Sequence, residues 1–299
     1  MSESDLLAHI YARSAGLRER FPQVLVGPGH DCAVVAAGGG TVLLKVDQIA
    51  QGRHFRPGTP IDLIARKAVA RPVSDIAAAG GSPSAALAAA TLPTGFTRAD
   101  ELFDAMAKWA AGFGCPLVGG DIAAGPGLVL AVTVIGTPHP TRGPVLRSGA
   151  RVGDAVYVTG ALGGSLDGGT GLGKHLTFEP RLAEARWLCD TLGAGLRAMM
   201  DLSDGLGRDG ARLAAASGVR LRLDGPLIPL SSCVAGWRGA VSDGEDYELL
   251  FTAPEGLRCP TTGTPITRIG VVEAGAGCVL VDAGREIDIG TMGWEHGTG

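Results

Sequence analysis

The sequence predicts a mixed α+β protein built from two domains. Three observations carry that prediction. The chain has 299 residues, long for one core and suited to two domains of ordinary size. Helical and strand-like patterns alternate along it, but the strands also come in hairpin-like pairs, which disfavours a doubly wound parallel sheet. A Pro/Gly-rich stretch at Thr137–Pro144 reads as the linker. It divides the chain into an N-terminal unit over 1–140 and a C-terminal unit over 141–299.

Taken in order, Asp5–Phe21 reads as an amphipathic helix. Apolar runs at Cys32–Ala36 and Val42–Val46, separated by Gly38, Gly39 and Gly40, read as a hairpin. Thr59 as N-cap and Pro60 at the first helical position open a long helix to Ala79. Pro72 inside it is expected to break it, leaving Val73–Ala79 as a second piece. Ala85–Thr91 reads as a strand, Arg98–Phe113 as a helix and Leu128–Gly136 as a strand. In the second half Ala155–Thr159 is a strand and Gly163–Gly173 a mobile glycine-rich surface loop. Arg181–Leu192 and Gly205–Ala216 are helices. Strands follow at Arg220–Leu223, Glu248–Thr252, Thr267–Val272 and Cys278–Val281.

Composition excludes several classes. The net charge is −4 and no Lys/Arg-rich run occurs, which argues against nucleic acid or an anionic membrane as partner. Apolar stretches stop well short of the roughly 18–20 residues a membrane span needs. Met1–Leu7 carries acids and lacks a secretory pattern, so a cytoplasmic location is expected. The six cysteines, Cys32, Cys115, Cys189, Cys233, Cys259 and Cys278, are far apart, with no C-x-x-C pair. Buried reduced thiols are expected, and no zinc site.

Gly168-Gly-Thr-Gly-Leu-Gly-Lys174-His175 nearly matches a phosphate-binding loop. His175 stands where a hydroxyl should bind magnesium, and imidazole is a poor ligand for that hard ion. The segment is therefore not read as a phosphate loop.

Aspartates carry the stronger signal. Asp31, Asp47, Asp75, Asp121, Asp201 and Asp204 each adjoin an apolar run, most beside Gly or Ser. Strand ends beside flexible residues are where sites tend to be built. A single such Asp is more often a turn or cap residue. If several converge they need a cation, because two carboxylates about 4 Å apart repel by about 4 kcal/mol at an effective dielectric near 20. Oxygen-only ligands point to magnesium or manganese, and carboxylate-held metal shared with phosphates is phosphoryl-transfer chemistry.

These segments, in this order, resemble the thiamine-monophosphate kinase family of the aminoimidazole ribonucleotide synthetase-like superfamily. The resemblance runs from Gly27 to about Trp294. Gly52-Arg-His-Phe55, Ser74-Asp-Ile-Ala-Ala78, Gly119-Gly-Asp121, Arg147–Asp154, Asp201-Leu-Ser-Asp-Gly-Leu206 and Gly244-Glu-Asp-Tyr-Glu-Leu249 carry it. It implies an N-terminal α/β domain that pairs in a homodimer, a C-terminal α/β domain, and ATP with several magnesium ions in the cleft between them. It further implies magnesium ligands at Asp31, Asp47, Asp75, Asp121, Asp201 and Asp204. ATP contacts fall at Gly120, Asp121, Arg147 and Ser203, and thiamine phosphate contacts at His54, Glu245 and Trp294. Glu245 could accept hydrogen bonds from an aminopyrimidine, and Trp294 could stack on the cationic thiazolium. The expected reaction is ATP-dependent phosphorylation of thiamine monophosphate to thiamine diphosphate. The acceptor is a phosphate monoester whose second pKa is about 6, so no general base is expected and Arg147 serves transition-state charge. A sister ATPase with another substrate, or a nucleotide-binding protein without turnover, are the alternatives.

The sequence departs from the family pattern in two places. His30 replaces the first of two usual adjacent carboxylates. Lys45 and Val46 replace small hydroxyl residues before Asp47. Lys45 and Asp47 share a strand face, and the ammonium is expected to take the place of one magnesium ion.

Overall fold

The computed structural model describes residues 3–257 and 263–295. Helices are α1 (Glu3–Ser14), α2 (Leu17–Arg20), α3 (Ile61–Ala78), α4 (Ala99–Gly112), α5 (Lys174–Thr177), α6 (Leu182–Leu192), α7 (Leu206–Ser217) and α8 (Trp237–Ser242). Strands are β1 (Val24–Val26), β2 (Ala33–Ala37), β3 (Gly40–Ala50), β4 (Gly81–Pro93), β5 (Leu117–Gly125), β6 (Val129–Pro138) and β7 (Ala155–Thr159). They continue as β8 (Ala198–Asp201), β9 (Arg220–Asp224), β10 (Leu249–Ala253), β11 (Ile266–Glu273), β12 (Gly277–Asp282) and β13 (Arg285–Asp288).

The strands form two sheets, ordered β1-β2-β3-β6-β4-β5 and β13-β12-β9-β11-β7-β10-β8. Only the β4–β5 and β9–β12 pairings are parallel among the described residues. This is the mixed α+β arrangement that the paired strands predict. The expected hairpin forms, with Ala37 opposite Gly40.

Three local expectations need correction. The Asp5–Phe21 helix is split into α1 and α2, with Gly16 left-handed at φ 71° between them. Pro72 does not break α3, although it removes the bond to the carbonyl four residues back. Fifteen of the 18 residues of α3 are buried, so packing holds the helix across the defect. Thr59 does not cap it; its hydroxyl donates to the Arg56 carbonyl. The Thr137–Pro144 stretch, expected as the linker, is anchored by His139, which is buried and bonded to Asp190 at 3.0 Å.

The core explains how the halves are joined. One cluster centres on α3 and the first sheet, yet includes Leu176, Phe178 and Tyr247 from the second half. Phe178 and Tyr247 stack with centroids 3.8 Å apart. In return, Ala77 and Ala78 at the end of α3 pack with Leu188, Cys189 and Phe251. Helix α3 is therefore shared between both halves and runs along their junction.

Four thiols, Cys32, Cys115, Cys189 and Cys278, are buried as expected. Cys233 is exposed, which corrects that expectation, because it sits in the irregular segment before α8. Cys259 lies outside the described residues. None of the described helices is long and apolar enough to cross a membrane.

Candidate functional site

The turn before β2, helix α3 and the end of β8 bring three distant aspartates together. One carboxylate oxygen from each of Asp31, Asp75 and Asp201 lies within 4.8 Å of the others. All three residues are buried. Asp201 accepts a 2.6 Å bond from the Ser74 hydroxyl. Asp31 is gripped by Arg147, whose Nη2 lies 2.8 Å and Nε 3.2 Å from the carboxylate.

Lys45 enters the same cluster. Its Nζ lies 2.7 Å from Asp75 and 3.6 Å from Asp47. The strand alternation that places Lys45 and Asp47 on one face thus aims both at α3. Burial works against the Asp47 anion, but Lys45 and then Arg71 outweigh it and lower its pKa. Asp75 is pushed the other way: burial raises it well above the carboxylate range, and Lys45 does not fully offset Asp201, Asp47 and Asp31. Asp201 is raised to about 6, by burial first and Asp31 next. Among the described residues, the four carboxylates here meet only Lys45 and Arg147 at salt-bridge distance. The remaining negative charge, held on oxygen donors, fits a hard divalent cation.

A cleft of about 350 Å³ opens beside the cluster. Its walls include Arg53, His54, Arg71, Ser203, Asp204, Glu245 and Trp294. Two motifs build it by lying side by side. Glu245 N–H donates to the Ser203 carbonyl at 2.7 Å, and Tyr247 N–H to the Leu202 carbonyl at 2.8 Å. A Cβ at Gly244 would stand 2.7 Å from the Ser203 carbonyl oxygen, so only glycine permits this approach. Glu245 and Tyr247 take positive φ values, 64° and 52°. Such backbone persists only where surroundings over-determine it, and it concentrates at functional sites.

Glu245 is fixed by a buried network. Lys67, with no exposed surface, donates 2.7 Å bonds to its carboxylate and a 2.8 Å bond to the His54 carbonyl. His175 Nδ1 lies 3.2 Å from Glu245 and 2.8 Å from Lys67 Nζ. Burial opposes the Glu245 anion, but His175 and Lys67 hold its pKa at about 2. Burial brings Lys67 down to about 8 despite Glu245. The partners shift unequally because Lys67 is fully enclosed whereas Glu245 keeps 27% of its side chain exposed.

The glycine-rich segment answers a structural need. Lys174 does not face an open phosphate site; it donates to the Ala161 carbonyl at 3.0 Å and to buried Glu248 at 2.8 Å. Asp246 accepts from Gly163 N–H and from the Ser165 hydroxyl, and Asp243 from Gly164 N–H. Both ends of the expected mobile loop are therefore clamped by the 243–248 segment. Its tip is tied to Arg56 through the Gly168 and Gly169 carbonyls, each at 2.9 Å.

The structure thus gathers Asp31, Asp47, Asp75, Asp201 and Arg147 in one cluster, and His54, Ser203, Asp204, Glu245 and Trp294 along the adjoining cleft. Asp204 does not cap α7; it pairs with Arg212. Asp209, which the sequence reading missed, accepts the Ser203 and Asp204 N–H groups instead. Gly120 and Asp121 are not gathered. They lie on β5, three strands from β3, or roughly 14 Å at ordinary strand spacing. Asp47, Val132, Ala88 and Gly120 form one cross-strand row facing α3; Gln48, Ala131, Ala89 and Asp121 form the next, facing away. Asp121 is exposed on that outer face.

Fold and site together define a class. Residues 29–137 match the family model of AIR synthase related proteins, N-terminal domain. Within that class the relatives are specific. The thiamine-monophosphate kinase of Rhodopirellula baltica is 36% identical over 90% of this chain and 89% of its own length. That of Mycobacterium tuberculosis is 34% identical over 91% of this chain and 86% of its own. The solved structure of AaThiL complexed with AMPPCP and TMP superposes at TM-score 0.82 with 27% identity, covering 99% of this chain and 97% of that one. This chain belongs to the thiamine-monophosphate kinase family.

Proposed function

We propose that the protein transfers the γ-phosphoryl group of ATP directly to the phosphate of thiamine monophosphate, with magnesium bound at the aspartate cluster. The single observation that carries this reading is the adjacency of a cation-deficient carboxylate cluster to a cleft walled by Glu245 and Trp294. Asp31, Asp75 and Asp201, with Asp47 and Asp204 beside them, are the metal ligands in this reading. Magnesium there would screen the phosphates and polarise the transferring group.

The protein's own residues do the rest. Arg147, anchored by Asp31 through Nε and Nη2, keeps Nη1 for a phosphate oxygen of the nucleotide, and Ser203 on the cleft wall is its second polar contact. Glu245, held ionised, accepts from the amino N–H groups of the aminopyrimidine. Trp294 offers a face to a cationic ring; that face now carries Arg53, 5.0 Å from the ring centre. His54 holds the cleft wall by accepting the Ala50 N–H at 3.0 Å. No residue is needed as acid or base, since the acceptor phosphate is already largely ionised at neutral pH. A bell-shaped pH–rate profile traced to one side chain would contradict this.

Lys45 supplies one fixed positive charge to the cluster. Metal titration with ATP present should show a higher magnesium stoichiometry in Lys45→Ser than in wild type, and equal stoichiometry would exclude the idea. The reading also includes a homodimer in the cytoplasm, with units 1–140 and 141–299. Helices α3 and α4 cover one face of the first sheet, while Val46 and Leu87 stay 58% and 41% exposed on the other. Edge strand β5 exposes Val118 and Ile122 as well. A second copy covering this surface would bring Gly120 and Asp121 to an interface.

Incubation with ATP, magnesium and thiamine monophosphate, followed by chromatography of the products, tests the function. Equal amounts of ADP and thiamine diphosphate are expected. ATP binding with neither product would favour a non-catalytic binding protein.

A further inference from the structure

Helix α3 presents Lys67, Arg71 and Asp75 one turn apart, at i, i+4 and i+8, on one face. Lys67 belongs to the Glu245 network and Asp75 to the carboxylate cluster. Arg71 stands between them and lines the cleft. Its guanidinium has five donors, and the surrounding structure uses them poorly. Nε is buried and makes no hydrogen bond. The contact of Nη1 with the Gln48 carbonyl is long, 3.4 Å. Asp47, Glu245 and Asp75 all act on Arg71 electrostatically. Yet these acids close their ion pairs with Lys45 and Lys67 instead.

The second guanidinium of the cleft is differently placed, since Arg53 lies over the Trp294 ring. Arg71 is therefore the cation positioned between the pocket for the organic part of the acceptor and the cluster where phosphates must meet. Arginine's planar fork matches phosphate oxygens, whereas a lysine offers only a point charge.

We propose that Arg71 binds the phosphate of the acceptor and sets the preference for a phosphorylated over an unphosphorylated ring compound. The inference rests on the acceptor assignment made above and deepens it. Neither of the two motifs that build the cleft, Asp201–Leu206 and Gly244–Leu249, contains Arg71, so its role follows from the helical stagger and the unused donors.

Calorimetric titration of wild type, Arg71→Met and Arg71→Lys with three ligands tests it: thiamine monophosphate, thiamine, and ATP with magnesium. Arg71→Met should weaken thiamine monophosphate binding roughly 10- to 100-fold, the range for a charge-assisted bond, and leave thiamine and ATP affinities within about two-fold. Arg71→Lys should fall in between. If circular dichroism shows Arg71→Met unfolded, Arg71→Lys decides: thiamine monophosphate binding unchanged from wild type would overturn the proposal. So would an unaltered preference in Arg71→Met, or a loss confined to ATP, which would assign Arg71 to the nucleotide phosphates. Wild-type protein that binds neither thiamine compound would overturn the acceptor assignment itself, and this inference with it.

Discussion

Two acidic regions that meet α3 two turns apart, at Asp75 and at Lys67, have opposite electrostatic characters. The Asp31–Asp75–Asp201 cluster is short of positive charge, and its Asp75 and Asp201 carboxyls are raised accordingly. Glu245 has Lys67 and His175 in direct contact and stays ionised down to a pKa of about 2. In the proposed reading one region is completed by a cation from outside, whereas the other is completed by the protein's own Lys67 and His175. The difference separates two tasks. Phosphate chemistry needs mobile positive charge that arrives with the nucleotide, whereas recognition of a ring needs a carboxylate whose charge and position never change.

Substitutions should break the two regions in different ways. The largest effect is expected for Asp75→Asn, with kcat falling by about 10²–10³-fold, comparable to removing a main electrostatic stabiliser. Its metal-free unfolding midpoint should not fall, because one of several repelling buried carboxylates is neutralised. Urea unfolding in the presence of a chelator checks the second half.

Glu245→Gln should do the reverse to stability. The Glu245 pKa is depressed from 4.5 to about 2, so its contribution is complete above the unfolded value and lost as pH falls toward 2. The variant should lose about 2–3 kcal/mol at pH 7. That difference from wild type should shrink when denaturant unfolding is repeated near pH 3. A pH-independent gap would show that packing, not the ion pair, is responsible.

Smaller effects test the surroundings. Leu87→Glu on the uncovered sheet face should convert a dimer to a monomer in light scattering, with the fold intact by circular dichroism. Lys174→Ala should leave ATP affinity within about two-fold, because Lys174 is spent on the Ala161 carbonyl and Glu248. It should lower stability by about 1–2 kcal/mol, a modest loss because Arg181 still pairs with Glu248. A large loss of ATP affinity would restore the phosphate-loop reading of that segment.

The sequence made one region far more legible than the other. The aspartates of the cluster stand beside apolar runs at element ends, a local pattern that can be read without a fold. Lys67 and Arg71 give no such signal. They sit inside a long apolar helix, where the bland expectation is a solvated charge, and only tertiary packing reveals that Lys67 has no exposed surface. Asp209 is hidden for a similar reason, since besides Arg212 its partners are backbone N–H groups brought to it by the turn before α7. Pro72 shows local propensity overruled by burial. Asp121 shows that a motif does not fix a position: strand register puts it on the outer face of edge strand β5, away from the Asp31–Asp75–Asp201 cluster.

Phosphorus NMR of one reaction tests the central claim most directly. The tube holds the protein, ATP, magnesium and thiamine monophosphate, and excess chelator is added midway. The account predicts that the diphosphate resonances of ADP and thiamine diphosphate grow together and stop on chelation. Release of inorganic phosphate with thiamine monophosphate unchanged, or growth that continues after chelation, would contradict it.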